Sequence, residues 1–351
     1  MGQINGIAKW DLETNGWRDI ASQADQRKAL SIASYRDVIH DESDNGFHYI
    51  LIADGYRVEN LSKNAETISD RKDGIKRVIN YFEKKKDNYR IELLLIDNDA
   101  PLKEEGKYFA SYIDSLAESD RVKSINYIGF SKCGVIGFDM IKYIRTMKGL
   151  AKTNIFCVSS PYTGTIMASP KIIEREAKRI IQAKLGENDF SKRVLNALLN
   201  YYHKILSNSH MDFDIALKDG VGDKYLDRYD PSFLNDIFST DNVLASTKPN
   251  HFQNICTVID AKATRAILKS CDLVGIGLLL LNELFFKEPS DGLVTLRAQQ
   301  SIEPHINSKN NSNNLILSSP HGVLEHPVAN ELLDTVDTVI EEKPYIIRLK
   351  P

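Results

Sequence analysis

From residue 47 onward, short continuous apolar runs alternate with segments that are apolar on one helical face only. The run His48, Tyr49, Ile50, Leu51, Ile52, Ala53 predicts a buried strand, ended by Asp54, Gly55 and Tyr56. A helix is predicted over 68–81, where Ile75, Val78, Ile79 and, just beyond, Phe82 share a face opposite Lys and Arg. Further strands are predicted at 89–96, 123–128, 154–159, 254–259 and 314–318, and helices at 106–116, 132–147 and 325–341. Unbroken apolar strands are covered on both faces, so the expected fold class is α/β, a mostly parallel sheet with helices on both sides. Ligands in such sheets bind outside the carboxyl ends of the strands. Asp54, Asp97, Ser131 and Pro161 fall at that edge.

The alternation stops between 165 and 250. Two amphipathic helices are predicted there. One spans 171–185, with Ile172, Ile173, Ala177, Ile180, Ile181 and Leu185 on one face. The other spans 191–206, with Val194, Leu195, Leu198, Leu199, Tyr202 and Ile205. A stretch rich in tyrosine and aspartate follows, through Asp241. The segment reads as a helical cap inserted over the sheet edge, with a separate small helical domain as the alternative. The organisation is then an N-terminal extension over 1–45, a core made of 46–165 and 252–351, and a cap or lid over 166–251. The extension is polar, with Trp10, Trp17 and Tyr35, and predicts a short antiparallel strand or hairpin region plus loops. The apolar run from Leu273 to Phe286 predicts a buried or lid-type helix, too short to span a bilayer. A polar loop is expected at 310–314.

The stretch at 125–134 (Ile-Asn-Tyr-Ile-Gly-Phe-Ser-Lys-Cys-Gly) carries the chemistry. A strand end, a tight turn with Ser131 at its apex and a helix follow one another. That is the context in which a serine is presented as a nucleophile. A turn so sharp needs small neighbours, and Gly129, Cys133 and Gly134 supply them. The helix from Lys132 directs its N–H groups and positive dipole end at the serine, which favours an oxyanion. The bland alternative is a glycine-bounded turn with a solvated serine. Serine chemistry also needs a base and a carboxylate to hold that base. Asp291, then His321, follow Ser131 in chain order, each just after an apolar run. Asp260 and His326 are the rivals for these two roles. The Lys132 ammonium is expected in solvent or at the rim of the site.

Composition narrows the class. The chain has 351 residues, 42% hydrophobic and 26% charged, with a net charge of −3. These values predict a soluble globular protein with no nucleic-acid or membrane partner. The first six residues lack a basic start and an apolar core, so a cytoplasmic location is expected. Cys133, Cys157, Cys256 and Cys271 have no metal-ligand spacing and read as buried free thiols. No phosphate loop, dinucleotide motif or zinc spacing is present, so neither cofactor nor metal is expected.

With these residues in place the chain resembles the α/β-hydrolase superfamily, and within it the lipase-like serine esterases. Gly-Phe-Ser-Lys-Cys-Gly at 129–134 resembles their elbow. Ser-Ser-Pro-Tyr-Thr-Gly-Thr at 159–165 is similar to the turn after their next strand. Ser-Asp-Gly-Leu-Val at 290–294 and Pro-His-Gly-Val-Leu at 320–324 are similar to their acid and histidine turns, which favours Asp291 over Asp260 and His321 over His326. Asp54-Gly55-Tyr56 stands where those enzymes carry His-Gly and an oxyanion-hole residue; here Asp54 replaces the histidine. The resemblance covers 47–165 and 252–342. It implies a Ser131–Asp291–His321 triad, oxyanion donors from the backbone N–H groups of Tyr56 and Lys132, and an ester or lipid substrate with an apolar acyl chain. Thioesterases and acyltransferases use the same triad, and a non-catalytic binding protein on this fold is the rival from a different class.

Overall fold

The structure, a computed structural model, describes residues 8–11, 16–19, 37–39, 46–57, 72–96, 102–117, 121–144, 151–165, 170–206, 250–270, 273–286, 288–301, 314–326 and 328–341. In chain order the strands are β1 (Ala8–Asp11), β2 (Gly16–Asp19), β3 (Asp37–Ile39), β4 (Phe47–Arg57), β5 (Tyr89–Ile96), β6 (Val122–Phe130), β7 (Lys152–Val158), β8 (His251–Val258) and β9 (Leu315–Ser318). The helices are α1 (Lys72–Phe82), α2 (Leu102–Ala117), α3 (Lys132–Met140), α4 (Pro170–Leu185), α5 (Asp189–Leu206), α6 (Ala261–Ser270), α7 (Leu273–Phe285), α8 (Leu296–Gln300) and α9 (Ala329–Ile340).

Seven strands form one sheet in the order β3-β5-β4-β6-β7-β8-β9. All pairings are parallel except β3 with β5. With helices on both faces and a helical insertion between β7 and β8, this is the α/β-hydrolase fold. The N-terminal hairpin is present as the antiparallel pair β1–β2, with Trp10 opposite Trp17. Residues 37–39, grouped by sequence with the N-terminal extension, join the main sheet as its antiparallel edge. Three residues are too few to display a period.

The strands bury both faces because alternate side chains point to opposite sides. Tyr49, Leu51, Ile125, Tyr127, Ile155 and Cys157 pack on one side with Phe109 and Ile113 of α2 and Val135, Ile136 and Phe138 of α3. Ile50, Ile52, Ile128, Phe156, Val158 and Ile255 pack on the other with Val78 and Phe82 of α1 and Leu332, Leu333 and Val336 of α9. The helix expected over 132–147 ends at Met140 and passes into a turn. The one expected over 325–341 is split into a 3-10 turn, Val323–Glu325, and α9.

A third apolar cluster stands apart from the sheet. Ile173 and Ala177 of α4 pack with Leu278, Leu281 and Phe285 of α7, joined by Leu195 and Leu199 of α5. Ile173, Ala177, Leu195 and Leu199 of the inserted helices thus pack against the apolar run that the sequence marked at 273–286, while Leu185 stays exposed. The cluster takes in Ile259, just past β8, and Leu293, so it lies at the carboxyl edge of the strands. Cys133, Cys157 and Cys256 are buried. The Asp97–Asp99 strand end, the tyrosine- and aspartate-rich stretch within 207–249, the polar loop at 310–313, Tyr35 and Cys271 lie outside the described residues.

Candidate active site

Ser131 stands between β6 and α3 with φ 53° and ψ −123°. A residue with a Cβ held there costs about 1–3 kcal/mol and persists only where its surroundings over-determine it. Two backbone bonds do so. Ser131 N–H donates to Val158 O at 2.8 Å, and Gly134 N–H donates to Ser131 O at 2.9 Å. The demand for small neighbours is steric. A Cβ on Gly129 would come within 2.4 Å of Cys133 O, and one on Gly134 within 1.8 Å of Ser160 Oγ. Cys133 is tolerated because it is fully buried in the core on the α3 side, and its carbonyl accepts the Tyr127 hydroxyl at 2.7 Å.

Lys132 differs from the expectation of a solvated or rim ammonium. It is buried at 4% exposure, with Nζ 3.5 Å from Oε2 of Glu105, itself buried on α2. The reason is that all of α3 is buried, so its first residue has no solvent-facing side and an ion partner must be brought to it.

Asp291 and His321 come together. His321 Nδ1 lies 2.8 Å from Asp291 Oδ2, and the His321 N–H donates to Asp291 O at 3.1 Å. The acid is 0% exposed. A buried carboxylate without partners would cost several kcal/mol (about 3–5 for one stripped of its partner), and here both oxygens are supplied. Oδ1 accepts the N–H groups of Leu293 at 3.0 Å and Val294 at 2.8 Å, and Oδ2 also accepts the Thr257 hydroxyl at 2.8 Å. The turn requires Gly292, whose φ is 95° and whose absent Cβ would lie 2.8 Å from Leu278 Cβ on α7. Ser290 Oγ donates to Asn282 Oδ1, also on α7. The apolar helix therefore supports the acid turn directly.

The strand ends are tied to one another by backbone bonds. Ser159 N–H donates to Ile255 O, Ile259 N–H to Ser290 O and Ser319 N–H to Val258 O. With the Ser131–Val158 and His321–Asp291 bonds, these link the turns bearing Ser131, Asp291 and His321 along one edge of the sheet. At the same edge, the register of β4 against β5 breaks between Ala53 and Arg57, and Tyr56 falls within that break.

The two rivals have other work. Asp260 is exposed and caps α6, Oδ1 accepting Lys262 N–H at 2.8 Å and Ala263 N–H at 2.9 Å. Partial burial would raise its carboxyl pKa, but the Ser318 hydroxyl and these N–H groups outweigh it and hold the pKa below the ordinary value. His326 closes the 3-10 turn, its N–H donating to Val323 O and its carbonyl accepting from Arg77. Asp260→Asn is expected to change turnover by no more than about twofold, because asparagine caps a helix as well as aspartate and exposed substitutions are nearly neutral. A loss comparable to that of an Asp291 variant in the same steady-state assay would move the acid to the end of β8.

Residues that sequence reasoning did not single out are Thr257 and Gln299, both buried and hydrogen-bonded to Asp291. The only trace in the sequence is a polar residue inside an apolar strand, Thr257 between Cys256 and Val258. Among the described residues no group of three or more His, Cys, Asp or Glu could hold a metal ion, and no helix is long and apolar enough to cross a membrane.

No protein-family model matches this sequence, and no curated protein does. Solved structures do. A lipase-esterase related protein from Clostridium acetobutylicum ATCC 824 is 11% identical over 88% of this chain and 97% of its own, with a TM-score of 0.36. A hydrolase from Oleispira antarctica is 9% identical over 88% and 96%, with a TM-score of 0.40. Proline iminopeptidase from Mycobacterium smegmatis is 11% identical over 88% and 94%, with a TM-score of 0.37. Likenesses this remote say nothing of what this chain acts on, and the case for a function rests on its own residues.

Proposed function

We propose that this chain is a serine hydrolase that cleaves carboxylic esters through an acyl-enzyme. The observation that carries this reading is the His321–Asp291 pair at the sheet edge that also bears the strained Ser131. In the proposed reaction Ser131 Oγ attacks the ester carbonyl carbon while His321 Nε2 takes its proton. Asp291 holds the other ring nitrogen as N–H and so fixes the tautomer with a free Nε2. The oxyanion is met by the backbone N–H groups of Tyr56 and Lys132, the latter at the positive end of α3. His321 returns the proton to the leaving alcohol. Water then repeats the sequence on the acyl-enzyme, releasing the acid and restoring Ser131.

The inserted helices act as a cap over this site, and its apolar side favours an acyl chain. The test is labelling by a fluorophosphonate probe, then turnover of a chain-length series of chromogenic esters beside the matching thioesters. Labelling with ester turnover supports the reading. Turnover of thioesters alone would make the protein a thioesterase, and absence of both labelling and turnover would make it a binding protein on a hydrolase fold.

The cap has its own test. Ile181 is buried at 5% exposure in α4, and a charge there would be buried without a partner. Ile181→Asp is expected to lower kcat/KM for long-chain esters about tenfold while leaving acetate esters near the parent value, since a lost methylene contact is worth about 0.8 kcal/mol and about two of them amount to tenfold. Equal losses on both, following a drop in Tm, would reduce the segment to packing.

A further inference from the structure

We infer that Thr257 and Gln299 are positioning residues that hold the Asp291 carboxylate at the one angle from which it can accept the His321 Nδ1–H hydrogen bond. This rests on the Ser131–His321–Asp291 reading and extends it to residues that touch no substrate.

Gln299 is fully buried in α8 and its amide is used at both ends. Oε1 accepts the Thr257 N–H at 2.7 Å, while Nε2 lies 3.0 Å from Thr257 O, 3.2 Å from Val294 O and 3.3 Å from Asp291 Oδ2. The side chain thus engages both backbone groups of Thr257, as a peptide unit of a neighbouring strand would. It ties β8 to the acid turn at the same time. Its orientation is fixed by these partners, because an amide turned the other way would set an N–H against the Thr257 N–H and an oxygen against the carboxylate.

Thr257 is fully buried and presents its hydroxyl to Asp291 Oδ2 at 2.8 Å. A hydroxyl has one proton, and with Asp291 ionised that proton is committed to the carboxylate. Ser159 Oγ, 2.6 Å from Thr257 Oγ1, must therefore be the donor in that pair. Ser159 is the other non-glycine residue with positive φ among those described, 54°, directly after β7. The result is a directed chain from the Ser159 hydroxyl to the Thr257 hydroxyl to the Asp291 carboxylate, whose Oδ2 also meets the His321 ring. Asp291 Oδ2 accepts three donors and Oδ1 two backbone N–H groups, so the carboxylate has no freedom to rotate. Donors to a buried charge are worth roughly twice those between neutral groups. They also leave the imidazole a single acceptor in one place.

The experiment uses the full chain carrying Thr257→Val, Thr257→Ser or Gln299→Met, each made in the parent and in the Asp291→Asn background. In the parent, Thr257→Val and Gln299→Met are expected to lower kcat about 10- to 100-fold with KM nearly unchanged, and Thr257→Ser to restore most of the rate. In the Asp291→Asn background the same changes are expected to cost almost nothing further, because a residue that acts through the carboxylate has nothing left to position. The second readout is the low-field proton resonance of His321 Nδ1–H, followed by NMR in Ser131→Ala protein. It is expected to weaken or shift in Thr257→Val and Gln299→Met and to return in Thr257→Ser. Equal fold-losses in both backgrounds, or an unmoved resonance, would overturn the proposal and leave a purely structural role. If Thr257→Val does not fold, Gln299→Met carries the same comparison. Failure of the underlying reading looks different: ester turnover would survive Ser131→Ala, while the NMR comparison would still report on Asp291.

Discussion

Ser131→Ala is expected to lower ester turnover on the order of 10⁶-fold and to remove fluorophosphonate labelling, with the fold intact. The size follows from losing the covalent route altogether, while binding and oxyanion stabilisation would persist. The fold survives because alanine keeps the Cβ and the backbone bonds that hold the turn, Ser131 N–H to Val158 O and Gly134 N–H to Ser131 O, involve no side chain. Ser131→Gly separates strain from chemistry. It should be equally inactive, but glycine accepts φ 53° freely, so its Tm is expected to rise above that of the alanine variant by the equivalent of about 1 kcal/mol. Labelling that continues in Ser131→Ala would put the nucleophile elsewhere. A glycine variant no more stable than the alanine one would mean the turn holds no strain.

Asp291→Asn is expected to lower kcat about 10⁴-fold, near 5.5 kcal/mol of activation free energy. Asparagine can keep one oxygen on the Leu293 and Val294 N–H groups. Its NH₂ then faces the Thr257 hydroxyl, the Gln299 amide and His321 Nδ1, all donors in the parent protein. The imidazole is driven to the tautomer whose Nε2 carries the proton and cannot act as base. Stability falls as well, because each donor left without an acceptor in a buried site costs about 1–3 kcal/mol. The check is steady-state kinetics together with a thermal melt. A loss below about tenfold, with His321→Ala still inactive, would mean that the histidine is oriented by something other than Asp291.

Much of this was legible before any tertiary structure. The unbroken apolar runs at 48–53, 89–96 and 123–128 named a parallel sheet because a strand covered on both faces cannot alternate. The turn at 129–134 announced its serine because only small residues fit beside so sharp a reversal, a demand expressed within six neighbouring positions. Asp291 and His321 were singled out as candidates by their order in the chain and by the resemblance of their turns. Each of these signals is local, written within a few residues of the group it concerns.

What the sequence left open is contact between distant segments. The burial of Lys132 was missed because it depends on Glu105, which packs α2 against α3, and nothing near Lys132 announces that neighbour. The edge strand 37–39 shows itself only through its pairing with Ile91, Arg90 and Tyr89. The roles of Thr257 and Gln299 arise where β8, the acid turn and α8 meet, 34 and 8 residues from Asp291 in the chain. The sequence by itself determined the layers of the fold, the strained serine and the types of side chain available for chemistry, because periodicity and turn sterics are properties of neighbouring residues. The tertiary structure alone decided which hydroxyl and amide hold the Asp291 carboxylate where it meets His321. A hydrogen bond between buried groups carries no mark in either partner's sequence neighbourhood and exists only once the chain has closed around it.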